Sequence, residues 1–436
     1  MRRAVAIAAL LLLADRAQAN PLTLAHFGGL RGDPVYTGAF ALYWNPAALA
    51  EPGWDVALEG SLIERQATYD RDANLNLVPE ELRTANSGLA KIGGGGVVPG
   101  VAGRYGRRVG PVDLGVGFGV FVENGGSGAW DKNLRAPSEY PGAVDGPQRW
   151  ASISSSLLLV DLGLGLSLRH RRTGLSFGFT PILVVGNFST VRARNIDASE
   201  QVVDAAGQPK EGRAYFSGDG LGFSAIVGVR WDGKPGWSVA ATYQRGARVH
   251  LEGNLSVAFG TLPPSPQRAY LNLPIADMVR LGASLRPTRW LTLRPMLECA
   301  IWSVLQEHVF SSAVDNMPLL VIQRRSGDMY SGHLRADARL NDRWVVMLGL
   351  GGEKSPTPSK TMEPGFGEND NLDAGVGAIV ALSHHVDLSA TFLFQYFLPF
   401  KVTDSIQQPL TNGTYTDQRE LVIVDLEVHG WRPSVR

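Results

Sequence analysis

The chain contains a single cysteine, Cys299, so no disulfide can form within it and its fold must hold without cross-links. It has no net charge, with 41 basic residues against 41 acidic ones, and so no basic footprint that would recommend nucleic acid as a partner. After the first twenty residues there is no run of about 18 apolar residues, which excludes helical membrane spans. Helix-period patterns are scarce, and so are the residue constellations of covalent chemistry. Gly93-Gly94-Gly95-Gly96 lacks the Lys-Ser/Thr of a phosphate loop and reads as a flexible loop. Gly115, Gly117 and Gly119 imitate a dinucleotide fingerprint only weakly. His384-His385 has no carboxylate or cysteine at ligand spacing and reads as an exposed turn. Glu368-Asn369-Asp370-Asn371 reads as a solvated loop. No nucleophile elbow is visible. The expectation is a protein that is not an enzyme, with no cofactor and no metal.

What is present begins with an export signal. Met1-Arg2-Arg3 is basic, 4–13 is apolar, and Ala17-Gln18-Ala19 is a small-residue cleavage box. Cleavage between Ala19 and Asn20 is expected, and no cysteine follows to carry a lipid anchor. The mature chain is rich in glycine (51 residues) and tryptophan (10), which with the missing helical pattern suggests an all-β fold.

Alternation is the strongest signal. Val112, Leu114, Val116, Phe118 and Val120 share one strand face, while Asp113, Gly115, Gly117 and Gly119 share the other. Leu162, Leu164, Leu166 and Leu168 repeat the pattern, as do Val422, Val424, Leu426 and Val428. Strands are expected at 54–69, 97–106, 112–123, 150–169, 174–193, 212–230, 236–259, 277–286, 290–303, 329–340, 343–353, 371–382, 386–398 and 419–430, about fourteen in all. Several are far longer than the roughly 5–6 residues of a globular strand. Short turns (107–111, 170–173, 231–235, 287–289, 341–342, 383–385) alternate with long polar segments (124–149, 260–276, 304–328, 354–370, 399–418). A soluble sandwich has no reason for that alternation. A transmembrane antiparallel β-barrel does, with short turns at the periplasmic end and long loops outside. Trp237, Trp290 and Trp344 each open a strand directly after a short turn, the height of an aromatic girdle.

Before the first strand lies Tyr43-Trp44-Asn45-Pro46-Ala47-Ala48-Leu49-Ala50. Pro suits the first helical position and Asn caps the free amides, so a short helix is expected from Asn45-Pro46 through Leu49, stopping near Glu51-Pro52-Gly53. With a barrel wall following it, this segment reads as a plug in the lumen.

Three regions then resemble the FadL family of outer-membrane transporters for long-chain fatty acids and other hydrophobic compounds. They are 38–49 with its Asn45-Pro46-Ala47 signature, 273–288 continuing to Ile301-Trp302-Ser303, and Leu340-Asn341-Asp342-Arg343-Trp344 followed by 353–364. The resemblance implies a signal peptide at 1–19, a hatch at 20–53 and a fourteen-stranded barrel at 54–436. It implies passive uptake of a hydrophobic small molecule, with hatch movement and lateral exit beside a kinked third strand into outer-membrane lipid. Gly115, Gly117 and Gly119 are the expected kink, and Phe40 and Trp44 are expected to pack the hatch or touch ligand. The hatch is expected to be held by modest contacts, with Asn45 as a polar anchor. The implied location is the outer membrane of a Gram-negative bacterium, and the implied state a monomer. Two features depart from the family pattern. Residues 194–211 are short and polar where an external binding site is expected, and Trp431 is followed by five further residues. A porin-like channel for polar solutes and an outer-membrane lipid-acting enzyme are the alternative readings.

Overall fold

The computed structural model describes residues 27–73, 83–136, 140–233, 236–260, 263–366 and 368–430. The leader, its expected cleavage site at Ala19 and Asn20, and Trp431 lie outside the described residues. Eighteen antiparallel segments form one sheet that closes on itself, because β1 (Gly53–Arg71) pairs with both β2 (Gly88–Val109) and the final segment, β18 (Gly413–His429). Closure removes the exposed edge that long strands would otherwise present. Between them run β3 (Val112–Ala129), β4 (Ser154–His170), β5 (Leu175–Arg194) and β6 (Gly212–Asp232), and later β15 (Trp344–Lys354), β16 (Asn371–Ser383) and β17 (Val386–Val402).

The remaining segments are pairs that share one pass of the wall. They are β7 (Trp237–Arg245) with β8 (Arg248–Ala258), β9 (Ser265–Pro274) with β10 (Asp277–Leu285), β11 (Leu291–Ile301) with β12 (Glu307–Ser312), and β13 (Pro318–Gln323) with β14 (Met329–Arg339). Joined in this way, the segments make a closed barrel of 14 strands. Two segments expected to be loops therefore contain strand: 260–276 holds β9, and 304–328 holds β12 and β13. Gly93–Gly96 are also strand, paired to Gln66–Ile63 of β1. A glycine run carries no side-chain period, so its strand character comes from the partner.

The four broken passes change character at the break. Below it, outward positions are apolar, including Tyr243, Leu281, Leu297 and Leu334. Above it they are polar and exposed, with Arg248, His250, Glu252, Arg268, Asn272 and Glu307. The inward positions change the other way, from polar below the break (Thr242, Gln244, Arg280, Arg294 and Arg335) to mainly apolar above it, with Val249, Leu251, Leu271, Phe310 and Ile322 all buried. The upper segments thus form a sheet that projects past the apolar band and keeps a greasy inner face.

Inside the barrel lie residues 27–52. Their core of Phe40, Ala41, Leu42, Tyr43, Leu49 and Ala50 is almost fully buried. The wall makes room for it with glycine. A Cβ added to Gly115, Gly165, Gly178 or Gly228, on four successive strands, would meet Leu49, Leu42, Pro46 or Asn45 nearer than 3.0 Å. The alternating glycines are a seat for the plug.

Candidate functional site

The plug is built from two short turns, Ala41–Trp44 and Pro46–Ala50. Asn45 joins them: its Oδ1 accepts from Ala47 N at 3.0 Å, and its Nδ2 donates to Pro34 O at 2.9 Å and to Val229 O of β6 at 3.2 Å. Pro46 occupies the first helical position, where its missing N–H costs nothing, and Ala47 O accepts from Ser167 Oγ at 3.0 Å. Phe40 stacks on Phe27 at 5.5 Å. Trp44 donates from Nε1 to Phe27 O at 2.7 Å, and its ring lies in a polar chamber with Glu298, Glu353, Arg335 and Arg419.

Charged groups tie this segment to the wall, which is a firmer hold than modest contacts. Tyr43 Oη donates to Glu123 Oε1 of β3 at 2.9 Å and accepts from Arg280 Nη2 of β10 at 2.8 Å. Arg31 reaches Asp425 and Glu427 of β18, the latter at 2.9 Å. Arg294 of β11 donates to the carbonyls of Arg31 and Leu30 at 3.1 and 3.0 Å. The reason is stoichiometric. The lumen holds many buried charges, and buried charges persist only when paired. Glu368, expected in a solvated loop, is likewise buried and pairs with Arg419 at 2.8 Å. Burial raises its carboxyl above the usual range and Arg419 opposes the rise.

Above the plug lies a cavity of about 80 Å³. Its apolar walls come from Phe188 of β5, Phe310 of β12, Ile322 of β13, Leu273 of β9, and Phe366 in the segment before β16. Trp130 and Ser152, from the β3–β4 connection, and Trp302 between β11 and β12 complete it. At one end Arg192 and Arg324 share Glu363, at 3.4 and 2.8 Å. The polar stretch 194–211 does not line the cavity. The projecting sheet supplies the apolar surface instead, from residues that read as loop because their strands are short and interrupted.

One side of this cavity meets a gap in the wall. β2 pairs with β3 only from Val101↔Val120 to Val109↔Val112. Beyond that, among the described residues, Gly88–Gly100 keep only β1 as a ladder partner and Phe121–Ala129 keep only β4. The strands meet again where Asp131 N donates to Lys91 O at 2.8 Å. β3 carries an irregularity between Val122 and Gly125, where one extra residue bends the strand away. At Gly115, Gly117 and Gly119 the ladder is unbroken on both sides. A hollow of about 530 Å³ lined by Gly94, Gly95, Ser154, Ser156 and Ser189 lies against the gap, and it shares Ser127, Gly128 and Ser155 with the cavity. The lower edge of the gap is aromatic. Phe121 packs on Phe27 and Tyr43 at 5.3 and 5.4 Å, and Gly100 faces Phe27 and Phe40. Of the residues at this gap only Gly93–Gly96 stand out in the sequence, and they read there as a flexible loop, although Gly125-Gly126-Ser127-Gly128 is a visible signal.

Among the described residues, no three His, Cys, Asp or Glu side chains are grouped to hold a metal ion. The fold is shared by solved transporters. A FadL homologue from Pseudomonas aeruginosa superposes with a TM-score of 0.76 at 15% identity, covering 94% of this chain and 99% of the other. The P. putida toluene transporter TodX gives 0.67 at 15% identity, over 96% and 100%. The CymD monoaromatic hydrocarbon channel gives 0.62 at 13% identity, over 96% and 99%. Comparison with curated protein sequences finds no match. The model of the outer membrane protein transport protein family (OMPP1/FadL/TodX) matches residues 32–421. That family consists of transport channels rather than enzymes. From its barrel, its plug and that match over most of its length, this chain belongs to the OMPP1/FadL/TodX family of outer-membrane transport proteins.

Proposed function

We propose that the protein admits hydrophobic small molecules through the outer membrane of a Gram-negative bacterium by passive diffusion. Cargo enters the apolar cavity under the projecting sheet and leaves sideways, between β2 and β3, into the membrane. The observation that carries this reading is the sharing of Ser127, Gly128 and Ser155 by the cavity and the hollow beside it. A gap lined by glycine, alanine and serine has only small side chains to set against a sliding apolar body. The exit avoids water, which matters because each methylene kept buried is worth about 0.8 kcal/mol.

The likeness to a FadL homologue, a toluene transporter and a monoaromatic hydrocarbon channel supports long-chain fatty acids and monoaromatic hydrocarbons as the cargo class. The cavity, about 80 Å³, is smaller than the roughly 150 Å³ that accepts benzene in a protein core. Entry therefore moves a wall, and the segment with Glu363 and Phe366 is one of those not fixed by a strand ladder. The hatch plugs the lumen below this exit. Phe40 and Phe27 form the sill that cargo crosses, so hatch movement is confined to that aromatic end. Trp44, in its polar chamber, packs the plug.

Proteoliposomes carrying the folded barrel, offered labelled oleate, toluene and a sugar, test the reading. Oleate or toluene should bind and equilibrate faster than in protein-free vesicles while the sugar stays out. Free passage of the sugar would overturn it in favour of a porin.

A further inference from the structure

The cavity is largely apolar in its walls, yet four of the residues that line it carry a buried polar atom without a partner. Trp130, Trp302, His308 and Ser152 belong to the lining, and Trp130 Nε1, Trp302 Nε1, His308 Nε2 and Ser152 Oγ have no hydrogen-bond partner among the described residues. All four residues are buried, at 7%, 3%, 4% and 5% exposure. Buried polar groups are nearly always paired, so four orphans in one cavity require an explanation.

Three of the four can only donate, and the Ser152 hydroxyl can donate or accept. An indole N–H can only donate. His308 Nδ1 accepts from Arg324 Nε at 3.4 Å, so that nitrogen carries no proton and the hydrogen of the neutral ring sits on Nε2. The carboxylate in the cavity cannot satisfy them. Glu363 Oε1 is taken by Arg192 and Oε2 by Arg324. The guanidiniums are engaged as well, Arg65 forking onto Asp417 at 3.0 and 2.7 Å. The site therefore has three spare neutral N–H donors against one spare hydroxyl, that of Ser152, which can also accept.

We propose that this cavity selects apolar molecules carrying one neutral oxygen acceptor, such as a ketone, aldehyde or ester, over plain hydrocarbons of equal size. The proposal rests on reading the cavity as the entry site for cargo. A carbonyl oxygen has two lone pairs and no proton, so it answers two donors and brings no unmet donor of its own. An alcohol would add a donor, for which Ser152 Oγ is the only one of the four atoms that could accept. A carboxylate would bring a full charge into the cavity beside Glu363, and burying it costs far more than burying a neutral oxygen. A hydrocarbon leaves every donor unmet, and a site built to hydrogen-bond discriminates strongly against the analogue that lacks the group.

The test is equilibrium dialysis of the purified barrel in detergent against protein-free micelles, with ethylbenzene, acetophenone and benzoate as matched probes. Acetophenone should exceed ethylbenzene by about 25-fold, roughly fivefold for each of two net hydrogen bonds. In Trp130→Phe/Trp302→Phe, which keeps the rings and removes the N–H groups, the acetophenone-to-ethylbenzene ratio should fall toward one. Trp302→Phe alone should lower it by roughly fivefold, which serves if the double variant does not give the heat-shifted band of a folded barrel. Equal binding of acetophenone and ethylbenzene by the native protein would overturn the selectivity while leaving apolar transport standing. Strongest binding of benzoate would overturn the neutral-acceptor reading. Binding of no probe above the micelle control would remove the cavity as an entry site, and this inference with it.

Discussion

Arg31 Nη1 of the plug lies 2.9 Å from Glu427 Oε2 on β18, and the same guanidinium contacts Asp425. One buried cation therefore bridges two carboxylates of the wall, each with a side chain only 1% exposed. This links the plug to the barrel seam.

Arg31→Met should leave Asp425 and Glu427 buried without their cation. Removing one partner of a buried pair costs about 3–5 kcal/mol. Urea unfolding of the folded barrel should show the loss, and adding Asp425→Asn should recover part of it. No change in the urea midpoint would mean the plug contributes nothing to barrel stability.

The plug's seat can be filled. Gly115→Val and Gly178→Val would place a side chain against the backbone of Leu49 and Pro46. Overpacking of this kind costs roughly 1–3 kcal/mol, and a displaced plug is the cheapest relief. The expected outcome is a folded barrel with ion conductance in planar bilayers well above the native level and earlier proteolysis near residues 28–50. Native conductance in both variants would show that the wall yields instead.

The gap predicts where bulk matters. Gly128→Phe, at the shared rim of cavity and hollow, should slow apolar uptake about tenfold or more while the barrel still folds. Gly119→Phe should act differently, by pushing on Leu42 in the plug, since a Cβ there stands 2.7 Å from Leu42 Cδ2. Uptake rates of the two variants with labelled toluene separate these effects, and an undisturbed rate in Gly128→Phe would sink the lateral exit between β2 and β3.

The connection between β5 and β6 should loosen in acid. The Asp197 carboxyl is pushed down to about 2, chiefly by the hydrogen bond from Lys210 Nζ and then by Ser199. A carboxyl whose folded-state pKa is depressed adds stability above its unfolded pKa of about 3.9, and loses it as pH falls through the folded value. Hydrogen-exchange protection factors in residues 195–211, taken relative to the intrinsic rate at each pH, should therefore be unchanged from pH 7 to about 4 and fall between about 4 and 2. In Asp197→Asn that pH step should vanish. The pair is largely exposed, so the effect is local.

Much of the plug's local form was legible because it depends on neighbours in sequence. Asn45 caps the turn whose first residue is Pro46, and both roles follow from backbone chemistry over a few residues. The gap was not legible in the same way. Gly115, Gly117 and Gly119 looked like the bend because glycine permits one, but their ladders are complete. Their lack of side chains serves Leu49 and Leu42, which come from some seventy residues earlier in the chain. The bend sits instead at Glu123-Asn124, whose side chains give no local sign of it. The donor-rich cavity was invisible for a similar reason. Trp130, Ser152, Trp302 and His308 are scattered along the chain, and only closure of the barrel brings them to one wall.

The sequence by itself determined that the chain is an all-β barrel of about fourteen strands with a plug ahead of it, because period-two alternation and alternating loop lengths are local quantities written along the chain. Only the tertiary structure decided where the wall fails to pair, which glycines receive the plug, and which polar atoms end without partners. Those properties depend on which strand lies beside which, and register between distant strands is set by the closed hydrogen-bond network as a whole rather than by any one stretch.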